Sequence, residues 1–217
     1  MVRFFRPTPV MVTSDKALRG RETPVLPAPL PNHLVFGIPL DEVPAGAQIA
    51  YFALGCFWGE EKMFWSTAGV LNTAVGYQGG FTPNPSYEEV CTGGTGHTET
   101  VRVVFDPARV SYEQLARQFF EAHDPTQGYR QGNDVGTQYR SALFPVGPAQ
   151  AEVAQRVRAD AARAYGAAGY GDLTTEIADA ADWPFYLAED WHQQYLIRNP
   201  AGYCPVHATG VNCRPPA

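Results

Sequence analysis

Ile49-Ala50-Tyr51-Phe52-Ala53-Leu54, followed at once by Gly55-Cys56-Phe57-Trp58-Gly59, decides how this chain is read. The first six residues are almost uninterruptedly apolar, the pattern of a strand buried on both faces. Beyond the glycine, Glu60, Glu61, Lys62, Met63, Phe64 and Trp65 read as a helix, whose early acidic residues suit the positive end of its dipole. A cysteine at such a junction lies among unpaired backbone N–H groups, which favour the thiolate. Free cysteine titrates near about 8.5, and a helix N-terminus is one of the few local devices that lowers this. Cys56 is therefore a candidate nucleophile with a phenyl and an indole ring beside it. The competing reading is a small buried hydrophobe with a packing role.

Working outward, residues 70–77 read as a second strand and run into a Gly/Pro-rich loop, Gly76 to Pro85. Thr98-Glu99-Thr100-Val101-Arg102-Val103-Val104-Phe105 is the next strand, closed by Asp106-Pro107. Ser111-Tyr112-Glu113-Gln114 is a capping-box pattern that opens a helix with Tyr112, Leu115, Ala116 and Phe119 on one stripe. A loop over 124–137 leads to a strand near 139–146. An alanine-rich helix follows from 148 to about 165, and a short strand lies at 174–177. The order β-α-β-β-α-β-α-β implies an α+β arrangement with helices on one side of a sheet. The proline-rich residues 1–46 read as an extended arm, 47–198 as the folded domain, and 199–217 as a mobile tail.

The chain has 217 residues, enough for one sizeable core, and a formal net charge of −6 without a basic run, which argues against nucleic acid. No apolar stretch is long enough to span a bilayer, and the first residues lack the apolar core of a secretory signal. The expectation is a soluble cytoplasmic protein. In a reducing compartment its four cysteines (Cys56, Cys91, Cys204, Cys213) are more often catalytic or metal-binding than structural disulfides.

Alternation along a strand puts Glu99 on the same side as Val101, Val103 and Phe105. A carboxylate on the core side is costly to keep ionised, so its pKa rises and it holds a proton near neutrality, as a general acid must. A frayed strand end that reaches solvent is the bland alternative. The tail pair has three readings: zinc ligation by Cys204, His207 and Cys213, inert cysteines, or resolving and recycling thiols for an oxidised Cys56. Cys91 shows no partner and reads as structural. A Cys–His hydrolase would need one of the histidines beside Cys56, and His123 and His192 read equally well as structural residues at helix ends.

Gly55-Cys56-Phe57-Trp58-Gly59 occurs together with Gly93-Gly94-Thr95-Gly96-His97-Thr98-Glu99 and Gln131-Gly132-Asn133-Asp134-Val135-Gly136-Thr137-Gln138-Tyr139-Arg140-Ser141. With Gly80 to Tyr87 and His192-Gln193-Gln194-Tyr195-Leu196 in the same order, the chain resembles the A-type peptide methionine sulfoxide reductases over roughly residues 48 to 213. The resemblance implies an α+β, ferredoxin-like two-layer sandwich with long irregular N- and C-terminal extensions. It implies reduction of methionine S-sulfoxide, free or in proteins, by a monomer with no cofactor and no metal. It also assigns roles. Cys56 attacks the sulfoxide sulfur, Glu99 protonates its oxygen, and Tyr87 and Tyr139 hydrogen-bond that oxygen. Asp134 orients the site, and Phe57 and Trp58 form an apolar wall for the methyl group. Cys204 then resolves the Cys56 sulfenic acid, Cys213 carries the disulfide outward, and thioredoxin or a similar small dithiol protein reduces it.

Overall fold

The opening stretch folds as its pattern dictates. Its apolar run is strand β1 (Gln48–Ala53), and helix α1 (Phe57–Trp65) begins just past the glycine with Cys56 as its N-cap. The structure, a computed structural model, describes residues 8–203 and 208–213. Beyond α1 come β2 (Val70–Gln78), a short helix α2 (Tyr87–Cys91), β3 (Thr98–Phe105) and α3 (Tyr112–Ala122). The remainder comprises β4 (Arg130–Gln131), β5 (Asp134–Val135), β6 (Ala142–Phe144), α4 (Gly147–Ala167), β7 (Glu176–Ile177), β8 (Tyr186–Leu187) and α5 (Tyr195–Arg198). The result is a mixed α/β fold.

Six strands make one sheet in the order β7-β6-β1-β3-β2-β8, and β4 pairs only with β5. All neighbours in the large sheet are antiparallel except β6 and β7. Every residue of β3 is buried, because the two faces of the sheet are covered by different things. On one face Val101, Val103 and Phe105 join Phe64 of α1, Leu115 and Phe119 of α3, and Ala154, Val157 and Ala161 of α4 in the main core. On the other face residues of the N-terminal arm cover β2 and β3. Leu26 and Leu40 pack on Ala74, the Asn72 amide donates to the carbonyls of Pro39 and Glu42 (2.9 and 3.0 Å), and the buried Arg102 guanidinium donates to that of Leu40. An arm whose described residues carry only a 3-10 turn at Ser14–Lys16 and a single β-bridge, Asn32 with Pro39, thus closes a sheet face that would otherwise leave apolar and polar groups half-solvated.

Several boundaries differ from the sequence reading. The segment expected as a loop over 124–137 contains the β4–β5 hairpin, turning at Gly132 with φ 58°. The strand expected near 139–146 shrinks to β6, because residues 137–139 form a single 3-10 turn. Both helices opened by a serine carry complete capping boxes, Ser111 with Gln114 as expected and Ser86 with Glu89 in addition. Among the described residues no helix is long and apolar enough to cross a membrane.

Candidate active site

Gly55 takes φ 126°, a conformation glycine alone adopts without strain, and a side chain there would strike Gln131. That turn sets the Cys56 thiol at the start of α1, at the base of a cavity of about 160 Å³. Its walls are Cys56, Trp58, Tyr87, Glu99, Asp134, Tyr139 and Tyr203. Most of the residues expected from sequence therefore meet in one place.

Glu99 enters from β3 and is 2 % exposed, with one oxygen accepting the Phe57 N–H at 3.0 Å. Burial and the nearby Asp134 carboxyl outweigh that hydrogen bond and push its pKa up to about 8, so the group is protonated at neutral pH. Parity along β3 gave the right face. Thr98, one residue earlier, donates to the Gln138 carbonyl at 3.0 Å and so fixes the turn that carries Tyr139 beside Glu99. Arg140, buried and donating to the carbonyls of Thr137 and Gly79 (both 3.1 Å), holds the same turn against β2. Tyr87 is set by Glu189, which accepts the Tyr87 N–H (2.8 Å) and the Tyr77 hydroxyl (3.0 Å). Burial raises the pKa of Tyr87 and of Tyr139, so both remain O–H donors across the physiological range. The Tyr203 hydroxyl donates to Asp134 at 3.3 Å.

Cys56 corrects the sequence reading. A helix start was expected to favour its thiolate, yet the thiol is pushed up, first by burial and then by Glu99, and only the Trp58 N–H opposes this. A helix end acts over about one turn and is worth at most about 2 kcal/mol, whereas desolvating an anion in a closed, acidic cavity costs more. The two aromatic neighbours also divide. Trp58 lines the cavity, its indole N–H donating to His192 Nδ1 at 2.9 Å and its ring stacked on Tyr195 at 3.8 Å. The Phe57 ring is buried in the core against Tyr77 and His192, and what it gives the site is its backbone N–H on Glu99. Helical rotation of about 100° per residue separates two adjacent side chains in this way.

The sequence reading did not single out His192, Tyr195 and Tyr203 for the site. For His192 and Tyr195 the signal was the run His192-Gln193-Gln194-Tyr195; a 3-10 turn ends at His192 and α5 starts at Tyr195, and both rings meet Trp58. No described histidine lines the cavity. His97 and His123 are satisfied in the core, by the Thr82 carbonyl and by the Phe119 carbonyl with Ser141, so no Cys–His pair forms there. Cys91, read as structural, is exposed at the end of α2, with its thiol on the Tyr87 hydroxyl. Cys204 and His207 lie outside the described residues. Cys213 is 1 % exposed: its N–H donates to Glu121 (3.1 Å), its carbonyl accepts from Arg117, and burial holds its thiol up at about 11.

The buried titratable groups predict how stability depends on pH. Glu61, at about 7, and Glu99, at about 8, keep protons that the unfolded chain has lost above its ordinary carboxylate range. Their contribution to stability is therefore lost progressively as pH rises from the ordinary carboxylate range to about 8. His33, His97 and His123, lowered to about 4, and His192, lowered to about 3, act in the opposite sense, since below about 6.5 only the unfolded chain takes up their protons. Thermal unfolding at stepped pH should give a Tm maximum near pH 6, at about the crossing of the two effects. A Tm that climbed steadily from pH 6.5 to 8 would rule out neutral buried carboxyls.

A family model described as peptide methionine sulfoxide reductase matches residues 48–213, every element from β1 to the docked Cys213. The chain belongs to the A-type peptide methionine sulfoxide reductases. Peptide methionine sulfoxide reductase MsrA of Streptomyces griseus is 58 % identical over 207 residues, covering 95 % of this chain and 93 % of the relative. That of Corynebacterium kroppenstedtii is 56 % identical, covering 96 % and 97 %. Among solved structures, methionine sulfoxide reductase A of Corynebacterium diphtheriae superimposes with a TM-score of 0.85 at 50 % identity, covering 96 % of this chain and all of that one. Mxr1 of Saccharomyces cerevisiae in reduced form gives 0.67 at 35 % identity, covering 76 % of this chain and 92 % of its own. The enzyme is a peptide-methionine (S)-S-oxide reductase.

Proposed function

We propose that this reductase works by nucleophilic attack of Cys56 on the sulfoxide sulfur with Glu99 as the acid. The observation that carries the reading is a neutral, buried carboxyl sharing a 160 Å³ cavity with the only described thiol that lines it. A sulfoxide oxygen leaves sulfur only once protonated. Glu99 gives its proton to that oxygen while the hydroxyls of Tyr87 and Tyr139 hydrogen-bond it. The raised Cys56 pKa fits this sequence, because the thiol need not be ionised at rest: as Glu99 becomes a carboxylate it accepts the Cys56 proton. Atoms balance. Sulfoxide and thiol become thioether and sulfenic acid: the sulfoxide is reduced by two electrons to methionine and Cys56 is oxidised by two. Trp58 receives the methyl group, with Phe57 packed behind, and Asp134 orients the polar side through Tyr203. The β1-α1-β2-β3-α3-β6 core, with strand order β6-β1-β3-β2, supports reading the domain as ferredoxin-like, flanked by the arm and the tail.

Resolution follows from the remaining thiols. Cys204 condenses with the Cys56 sulfenic acid, releasing water, and the Cys213 thiolate attacks Cys204 to move the disulfide to the tail. A thioredoxin-like dithiol protein reduces it. Cys213 is buried on α3, so its turn in the relay requires residues 208–213 to leave that surface. Mass spectrometry of disulfides trapped after one turnover tests the scheme. Cys213→Ser should release about one methionine per enzyme and stop at a Cys56–Cys204 disulfide. If Cys213→Ser fails as completely as Cys56→Ser, the relay is wrong.

A further inference from the structure

One turn along α1 from Trp58, and outside the cavity, lies a fully buried polar chain that the chemistry above does not use. His33 of the arm is 1 % exposed, and its Nδ1 accepts the N–H groups of Val35 and Phe36 at 3.0 and 3.3 Å. That leaves the proton on Nε2, which donates to Thr73 Oγ1 at 2.8 Å. The Thr73 hydroxyl proton is then directed to Glu61 Oε1, 3.0 Å away. Glu61 also accepts from Gln194, from its backbone N–H at 2.8 Å and its side-chain amide at 2.7 Å. Gln194 sits at φ 47°, ψ 44°, one of two described non-glycine residues with positive φ. The next residue is Tyr195, whose ring stacks on Trp58, and two residues earlier is His192, which accepts from the Trp58 indole.

A left-handed glutamine is a strained turn that persists only where surrounding contacts over-determine it. Above about pH 7, where Glu61 is ionised, both donors of Gln194 end on one carboxylate, and that carboxylate is held from the far side by Thr73 and the arm. We propose that Glu61 is a positioning residue, which fixes the Gln194 turn and so holds Tyr195 and His192 against Trp58, with His33 of the N-terminal arm as its anchor. The inference rests on reading Trp58 as the methyl wall. It makes residues before β1, beyond what covers the sheet, part of the substrate-recognition apparatus.

Glu61→Gln tests this, because an amide presents one oxygen and one N–H₂ where Glu61 accepts from three donors, and so breaks at least one bond in either orientation. Its KM for methionine S-sulfoxide should rise about tenfold while single-turnover kcat at saturation changes less than about threefold. Adding Gln194→Gly removes the mismatched donor and tolerates the turn, and should return KM to within about threefold of wild type. A lowered Tm with unchanged KM in Glu61→Gln, or no rescue by the second substitution, overturns the proposal. Should Glu61→Gln not fold, His33→Ala carries the same test with an expected KM rise of about threefold or more, and an unchanged KM there overturns it equally. Trp58→Ala, run alongside, separates the two readings. An unchanged KM in that variant removes the methyl wall itself, whereas a raised KM there with none in Glu61→Gln removes only the positioning role.

Discussion

Replacing Cys56 by serine leaves no measurable reduction of methionine S-sulfoxide, a fall on the order of 10⁶-fold in kcat, the scale seen when an enzyme loses its nucleophile. The reason is redox chemistry as much as nucleophilicity. Sulfur accepts the sulfoxide oxygen and becomes a sulfenic acid, whereas a serine oxygen has no such oxidation state within reach. Positioning without the thiol therefore yields nothing, so the residual rate is that of the solution reaction. Substrate binding should survive, because the Trp58–His192 bond and the Glu99–Phe57 contact do not involve the Cys56 side chain. Methionine released per enzyme, measured chromatographically with excess dithiol, decides it. Turnover kept in Cys56→Ser and lost in Cys91→Ser would transfer the chemistry to the exposed thiol beside Tyr87.

What was legible in the sequence was local or periodic. The run from Ile49 to Gly59 contains its own strand, break and helix start, and Thr98–Phe105 announces both its limits and the face that Glu99 shares with the core. Ser111 with Gln114 fixes one helix start, and Ser86 with Glu89 carries the same signal just past the stretch, Gly76 to Pro85, that composition marks as loop. What was not legible depends on who covers whom. The thiolate-favouring helix end at Cys56 is a one-turn effect, and the burial that defeats it is contributed by β3, β5 and the turn at Tyr139. Pattern separates neither Phe57 from Trp58, since both are apolar and adjacent, nor a catalytic wall from a core ring. His192 looks like any histidine near a short helix until the Trp58 indole is found donating to it. Nothing in the composition of the proline-rich arm says that it closes a sheet face or that His33 enters a buried chain.

Glu99→Gln should lower kcat by about 10²–10⁴-fold, the usual contribution of a positioned acid. The substitution is nearly isosteric, and its carbonyl oxygen can still accept the Phe57 N–H, so the start of α1 and the cavity keep their shape. What is lost is the one acidic proton aimed at the sulfoxide oxygen, which two tyrosine hydroxyls can hydrogen-bond but, with pKa values raised by burial, cannot protonate. The pH profile makes the assignment specific. A carboxyl held up to about 8 is in its acid form throughout the neutral range, so wild-type single-turnover kcat should be flat from pH 6 to 7 and decline as pH rises through about 8. Ordinary surface carboxylates have lost their protons far below that window, and the raised Cys56 thiol would give the opposite limb, gaining reactivity with alkali. In Glu99→Gln the decline near 8 should disappear along with the rate. A variant that kept the wild-type rate, or one that lost rate and retained the same decline, would move the proton to another donor, with the buried carboxyl of Glu60 next in line one turn from Cys56.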